Sequence, residues 1–434
     1  MPQTEPPFVP IPPGLETELF ALAPGALAAL PAVIRRAFPG HRPLIVADTQ
    51  TFRAAGAQAW ELLRNAGLDP VEPFVFPGEP RLHPDFAYCE TLAARFSADA
   101  VPVAVGSGVI NDLTKCGANL QGLRYCCVPT ACSVDGYTAA GAALVVNGSK
   151  KTVKCPAPLA ICADTDILAT APPDMLASGY ADLMTKIPAG ADWIIADAAG
   201  VEPIRADVWE LIQGRIFDWT ADPGDMMRIF DGLAATGYAM QMYGDSRPAS
   251  GAEHLFSHVW EMEKLTLDGA EVSHGFKVGV GLLASTLLME FVLEHDAAAV
   301  RPLMRPGLTR RERETEIDRL LERGCYGPEP KITALKKFNG GDTLERRRDH
   351  LLRVWDEMRA RVRKRLIPYA EMRRKLAAAG CPTTPKEIGL DTAQFLHGVR
   401  TAQLIRNRYT VLDLLYEMGL LEAAMTAKLG TMTA

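Results

Sequence analysis

No Cys-x-x-Cys pair occurs among the nine cysteines of this 434-residue chain, and their count is odd. That removes a zinc ribbon and a thioredoxin-like redox motif, and the thiols read as buried small hydrophobes in a reducing compartment. Charge of one sign is scarce too: 46 basic and 52 acidic residues leave a net −6, which gives no electrostatic reason to expect a nucleic-acid partner. The runs Arg310 to Arg313 and Arg346 to Arg365 are basic, but acids interleave both, so they read as solvated helix faces. No apolar run reaches the ~20 residues of a bilayer span. The most apolar stretch, Val278 to Leu293, is interrupted by Glu290 and reads as a buried helix. The proline-rich start, Met1 to Pro13, has no basic region ahead of an apolar core, so neither a signal nor a transit peptide is expected, and the expected compartment is the cytoplasm. No repeat of fixed period is visible.

What is present is ordinary globular composition, 48% hydrophobic and 23% charged, in a chain long enough for two or three domains. Residues 1–13 read as an extended arm. A helical pattern is expected over Leu19 to Phe38, a buried strand at Pro43–Asp48, a helix from Thr51 to Ala66 and a strand at Val71–Phe76. A helix follows at Phe86–Phe96, then strands at Val101–Val105 and Arg124–Pro129 flanking a helix that covers Leu113 to Asn119. Short strands are expected at Leu144–Val146 and Leu159–Asp164, with Gly148 to Lys151 as a turn between them. Strand and helix alternating in this way predict an α/β domain with a parallel sheet. From Pro172 onward the spacing is helical, over Asp174–Lys186, Asp207–Arg215, Pro223–Met242, Gly251–Lys264, Phe276–His295 and most of 309–372. The expected division is 1–170 for the α/β domain and 171–434 for an all-α domain.

Four places hold chemistry. Gly106-Ser-Gly108 follows an apolar strand and opens a helix, where glycines let a pyrophosphate approach the backbone and helix N–H groups face it. Asn111 stands where a third glycine would complete the dinucleotide fingerprint, and a tight strand-to-helix turn is the competing reading. Asp48, ending the first strand, is placed either to accept from the ribose hydroxyls of NAD, repelling the 2′-phosphate of NADP, or to cap the following helix. Pro129-Thr-Ala-Cys-Ser-Val-Asp-Gly136 offers Thr130 and Ser133 to a phosphate or ribose and Asp135 to a reacting carbon, against the alternative of a capped turn. Asp182 lies in the small-residue stretch Ser178–Trp193, and His254, His258 and His274 follow in similar surroundings. One carboxylate and two imidazoles suit a divalent ion with open positions, and helix packing alone is the rival account of the histidines.

Taken together, Gly106–Asp112, Pro129–Gly136, Asp164-Thr-Asp-Ile-Leu168, Ser178–Trp193, Ser250–His258, His274-Gly275 and Ile405–Leu414 resemble the sn-glycerol-1-phosphate dehydrogenase family. That family belongs to the group that includes glycerol dehydrogenase, iron-type alcohol dehydrogenases and dehydroquinate synthase. The resemblance runs in order over residues 40 to 420. It implies a dehydroquinate synthase-like fold and NAD(P)-linked interconversion of dihydroxyacetone phosphate and sn-glycerol 1-phosphate. It also implies one divalent metal (Zn²⁺, Ni²⁺ or Fe²⁺) on Asp182, His254 and His274. Nucleotide contacts fall to Gly106, Ser107, Gly108, Val109, Ile110, Asn111, Asp112, Thr130 and Ser133, and substrate contacts to Asp135 and His258. Catalytic roles go to Asp135, Asp182 and His258, and the substrate phosphate to His258 as a charge-assisted contact with Lys186, Lys151 or Lys154. The family also implies a homo-oligomer, a dimer or larger. Ala139 removes one hydroxyl that the family often carries. Lys186 replaces the fourth metal-ligand histidine of iron-type alcohol dehydrogenases, which favours the three-ligand branch. The alternatives are a dehydrogenase of another phosphorylated or phosphonylated carbonyl or polyol, and a dehydroquinate-synthase-like lyase.

Overall fold

The computed structural model describes residues 7–146, 149–324 and 326–433. Two compact units emerge, one of residues 1–183 with 217–245 and one of residues 184–216 with 246–434.

The first unit is built on eight strands: β1 (Leu19–Ala23), β2 (Arg42–Asp48), β3 (Val71–Phe76), β4 (Ala100–Gly106), β5 (Cys126–Pro129), β6 (Ala142–Val146), β7 (Ser149–Val153) and β8 (Ala160–Asp164). Six of them form one parallel sheet in the order β1-β8-β5-β4-β2-β3. Every residue of β4 is buried, as an apolar run covered on both faces requires. The sheet core joins Ile45, Ala47, Val101, Val103, Val105, Val128 and Cys162 to Leu27, Leu30, Val33 and Ile34. Loops leaving the carboxyl ends of β4 and β5 carry the glycine turn and the Thr130 stretch, the edge where ligands bind in open α/β sheets.

Two expectations are corrected here. The stretch Leu19 to Phe38 is not one helix: Leu19–Ala23 is the edge strand β1, and the helix is Leu30–Ala37. Pro24-Gly25 breaks the run, with Gly25 in the left-handed region at φ 69°, and β8 supplies parallel partners for β1 that local spacing cannot reveal. Lys151, assigned to a turn, lies instead in β7, which pairs antiparallel with β6 in a separate hairpin; residues 147 and 148 of that turn fall outside the described residues. Of the expected arm, residues 1–6 lie outside the described residues; the part from Pro7 runs beside β1, Val9 N–H donating to Phe20 O at 2.8 Å and Leu22 N–H to Pro7 O at 3.1 Å.

The second unit is helical; among its described residues the one strand pairing joins Thr266–Leu267 to Ala270–Glu271. The helix expected to end at Lys186 in fact breaks at Thr185, and a new helix, Lys186–Ala198, is buried from Lys186 to Ala196. Further helices, Ala252–Met262, His274–Glu294 and Asp342–Arg365, form its centre. His274–Glu294 is long and apolar enough to cross a bilayer, yet 83% of its apolar window is buried inside the protein, as the sequence reading has it. The eight described cysteines are all buried and free of disulfides. The basic runs are only partly solvated: Arg313 and Arg348 are 2% and 5% exposed. Arg348 is spent on backbone, its Nε donating to Glu417 O at 2.6 Å and its Nη2 to Arg305 O at 2.8 Å.

Candidate functional site

In the sheet unit the glycine turn joins β4 to the helix Gly108–Leu120. A Cβ at Gly106 would come within 2.5 Å of Ile110 Cβ, so the helix can sit this close only on glycine. Ser107 at the N-cap makes no side-chain cap bond, so the first-turn N–H groups have no help from it. Within the expected nucleotide set the side chains divide. Ser107, Gly108, Val109 and Asp112 are partly exposed. Ile110 and Asn111 are 1% exposed, and Asn111 Oδ1 accepts from Tyr125 OH at 3.0 Å. Asp112 Oδ2 accepts from Ala143 N–H at 3.0 Å and so ties the helix to β6. Asp48 Oδ1 accepts from the N–H groups of Gln50 and Thr51 at 2.9 and 2.8 Å, the capping alternative of the two sequence readings.

The Thr130 stretch and Asp182 meet in this same unit. Asp182 lies in the helix Pro173–Met184, is wholly buried, and its Oδ2 accepts from Asp135 N–H at 3.0 Å. One helical turn earlier, Ser178 Oγ donates to Ser133 O at 3.3 Å. Between them a Cβ at Gly179 would lie 1.5 Å from Cys132 O. Positions 178, 179 and 182 share a helix face, and the small residues there bring the loop backbone onto the helix. Ser133 Oγ pairs with Tyr137 OH at 3.3 Å, and Thr130 N–H donates to Gly106 O at 3.1 Å, joining the two loops.

In the helical unit, His254 and His274 come from neighbouring helices, their rings 5.3 Å apart. The helices approach because Gly281 has no Cβ; one would stand 2.6 Å from Glu253 O. Each imidazole turns Nδ1 to a carboxylate. His254 Nδ1 donates to Glu253 Oε1 at 3.0 Å, and His274 Nδ1 lies 3.5 Å from Glu261 Oε1. A carboxylate only accepts from a ring N–H, so in His254 Nδ1 carries the proton and Nε2 the lone pair, the tautomer a metal ligand needs. Sequence reading missed Glu253 and Glu261; their spacing beside His254 and His258 resembles any helical acid, and only the fold shows what they hold. Glu261 also takes Lys277 Nζ at 3.0 Å and His258 Nδ1 at 3.4 Å.

Burial pulls His258 far below the ordinary imidazole range, to about 3, although its bond to Glu261 acts the other way. Held neutral in this way, the ring offers a hydrogen bond rather than a charge. Among the expected cations, Lys186 is wholly buried with Nζ donating to Thr185 Oγ1 at 3.2 Å, whereas Lys151 and Lys154 are exposed.

The N-terminus of Ala252–Met262 is capped from elsewhere. Gly251 N–H donates to Glu253 Oε1 at 2.5 Å, and Ala252 N–H donates to Asp192 Oδ2 at 2.7 Å. Asp192 is wholly buried, its Oδ1 accepts from Val411 N–H at 2.6 Å, and burial followed by the nearby Glu253 charge lifts its carboxyl well above the usual range. A Cβ at Gly251 would meet Asp192 Oδ2 at 2.4 Å and Glu253 Oε2 at 2.9 Å, so the two carboxylates converge on a space only hydrogen fits.

Known proteins bear on this geometry. Residues 21–172 match a family model described as iron-containing alcohol dehydrogenase. A glycerol-1-phosphate dehydrogenase [NAD(P)+] of Geobacillus stearothermophilus is 30% identical over 394 residues, 88% of each chain. The Geobacillus thermodenitrificans protein of the same name is 28% identical over 87% of each. Glycerol dehydrogenase from Schizosaccharomyces pombe superposes with a TM-score of 0.56 at 14% identity, covering 94% of this chain and 88% of that one, a likeness of fold alone.

Proposed function

This chain belongs to the glycerol-1-phosphate dehydrogenase family, and we propose that it is a metal-dependent, NAD(P)-linked oxidoreductase interconverting dihydroxyacetone phosphate and sn-glycerol 1-phosphate. The observation that carries the reading is the chemistry of the residues the resemblance assigns: a buried carboxylate, Asp182, in one unit and, in the other, two imidazoles, His254 and His274, each ring with Nδ1 turned to an acid. Such donors fit a divalent ion, and Zn²⁺, Ni²⁺ and Fe²⁺ all accept them. When bound, the ion supplies Lewis acidity at the substrate's C2 oxygen and the nicotinamide exchanges hydride with C2.

The protein's own groups do the rest. Asp182, whose Oδ2 accepts from Asp135 N–H, holds the Asp135 loop in register, and the Asp135 carboxylate orients the substrate hydroxyl or moves its proton. His258 offers a hydrogen bond to the phosphate, and its charge is met by a lysine. Lys277, joined to Glu261, is added to Lys186, Lys151 and Lys154 as a candidate for that lysine. Gly106 to Asp112 with Thr130 and Ser133 serve the nucleotide: helix N–H groups for its pyrophosphate, hydroxyls for its ribose. The cofactor is NAD or NADP, since Asp48, the residue that would favour NAD, is engaged in capping the helix after β2. We place the reaction in the cytoplasm, in a homo-oligomer.

An NADH oxidation screen tests the substrate class. Dihydroxyacetone phosphate should be reduced faster than dihydroxyacetone, glyceraldehyde 3-phosphate or phosphonoacetaldehyde; an equal or better rate on the unphosphorylated ketone overturns it. His254→Ala should lose both turnover and bound metal by elemental analysis, and a fully active metal-free variant would remove the ligand assignment.

A further inference from the structure

The two basic runs supply arginines to one cavity inside the helical unit. It has a volume of about 330 Å³ and is lined by Arg313 and Arg347 from those runs, by Lys336, Lys337 and Arg408, and by the acids Glu202, Asp413 and Glu417.

Two of the three acids are satisfied by the protein, and the third, Glu202, faces Arg247 Nε at 2.9 Å. Glu417 accepts from Tyr409 OH at 2.6 Å and Asn339 Nδ2 at 2.7 Å. Asp413 accepts from Lys337 Nζ at 2.6 Å, Gln403 Nε2 at 3.0 Å and Thr410 N–H at 3.0 Å. The cations are met less completely: Lys337 is paired with Asp413, and Arg313 donates through Nη1 to Glu316 and through Nη2 to Gln403 Oε1, but not through Nε. Arg313 is 2% exposed, its guanidinium stacks 4.1 Å over the Tyr416 ring, and its Nε has no hydrogen-bond partner among the described residues. Its nearest acid, Glu316 at 2.6 Å from Nη1, lies outside the cavity lining. Lys336 stands exposed at the same cavity. An unmet guanidinium N–H in a buried site is costly unless something accepts from it, and planar guanidinium donors match phosphate or carboxylate oxygens.

We propose that this cavity is a binding site for a small phosphate-bearing anion, separate from the candidate metal and nucleotide residues, with Arg313 as the buried anchor and Lys336 at its rim. Its wall is joined to the helix that carries His254. Arg408 Nη1 donates to Ser250 O at 3.0 Å and to Ser250 Oγ at 2.6 Å, immediately before that helix. An anion here is therefore positioned to steady the start of that helix.

The test uses the full chain and inorganic phosphate, with binding followed by calorimetry. Wild-type protein should bind two phosphates per chain, one in this cavity and one at the substrate site. Lys336→Glu, exposed and so tolerated by the fold, should weaken one of the two at least tenfold and leave the other unchanged; Arg313→Met should abolish the same one. A single phosphate per chain that Lys336→Glu does not affect, or two that neither variant alters, overturns the proposal. Should Arg313→Met fail to fold, Lys336→Glu alone decides.

Discussion

At the scale of single residues, glycines and second-rank acids carry more of the site than its titratable positions suggest. Gly179 is the sharpest case: a methyl there would overlap Cys132 O, so Gly179→Ala must push the Asp182 helix away from the Asp135 loop. Overpacking of this kind costs roughly 1–3 kcal/mol. Thermal unfolding should show that loss, and turnover should fall with it because the Asp182–Asp135 bond lengthens. Glu253→Gln tests the orienting acids. The amide keeps the shape of the side chain and its oxygen can still accept from Gly251 N–H and His254 Nδ1, but it lacks the negative charge that makes the bond to the imidazole charge-assisted and raises the ring's basicity as a ligand. Metal affinity should drop by about 10–100-fold, measured by competition with a chelator, while the fold survives. Asp182, His254 and His274 were nominated from sequence by a resemblance running over residues 40 to 420, and their role as ligands stands as a proposal. Glu253 and Glu261 were not, since an acid on a helix has a dozen ordinary uses until its neighbours in space are known.

At the scale of elements, Asp192 joins three helices: its own, Lys186–Ala198, the start of Ala252–Met262 and the start of Val411–Glu417. Its carboxyl is raised in the folded state by burial and the Glu253 charge, so the fold binds a proton there that the unfolded chain releases near pH 4. The sign follows. The contribution of Asp192 to stability is fully present below that value and is lost as pH rises toward the folded-state pKa. Asp192→Asn, neutral at every pH, should flatten this decline in chemical denaturation measured from pH 4 upward. A variant whose stability still falls as steeply as wild type over that range would dismiss the account. Helices were readable wherever apolar spacing was sustained, and the parallel strands wherever an apolar run ended at a turn. The failure at Leu19–Ala23 has a plain cause: an edge strand of five residues is set by its partner β8, more than a hundred positions away, and alanine-rich sequence favours helix when read locally.

At the scale of the whole molecule, the α/β beginning and the helical remainder were both legible, because hydrophobic period changes along the chain. What could not be read is the return of residues 217–245 to the sheet-bearing unit, for it depends on pairings such as Thr138 Oγ1 with Ala234 O at 2.7 Å. Nor could the cavity that gathers Arg313 and Arg347: a run of arginines interleaved with acids looks the same whether it faces water or a partly enclosed space. The helix His274–Glu294 has a further consequence, one of timing. Ala252–Met262, made before it, packs along one side, but Asp342–Arg365, Tyr369–Ala378 and Leu421–Lys428, which also pack on it, follow it in the chain. A ribosome adding about 5–20 residues per second needs roughly ten seconds or more to deliver them. Through that interval the most apolar helix of the protein is made but covered on one side only, with the faces that the later helices will take still open.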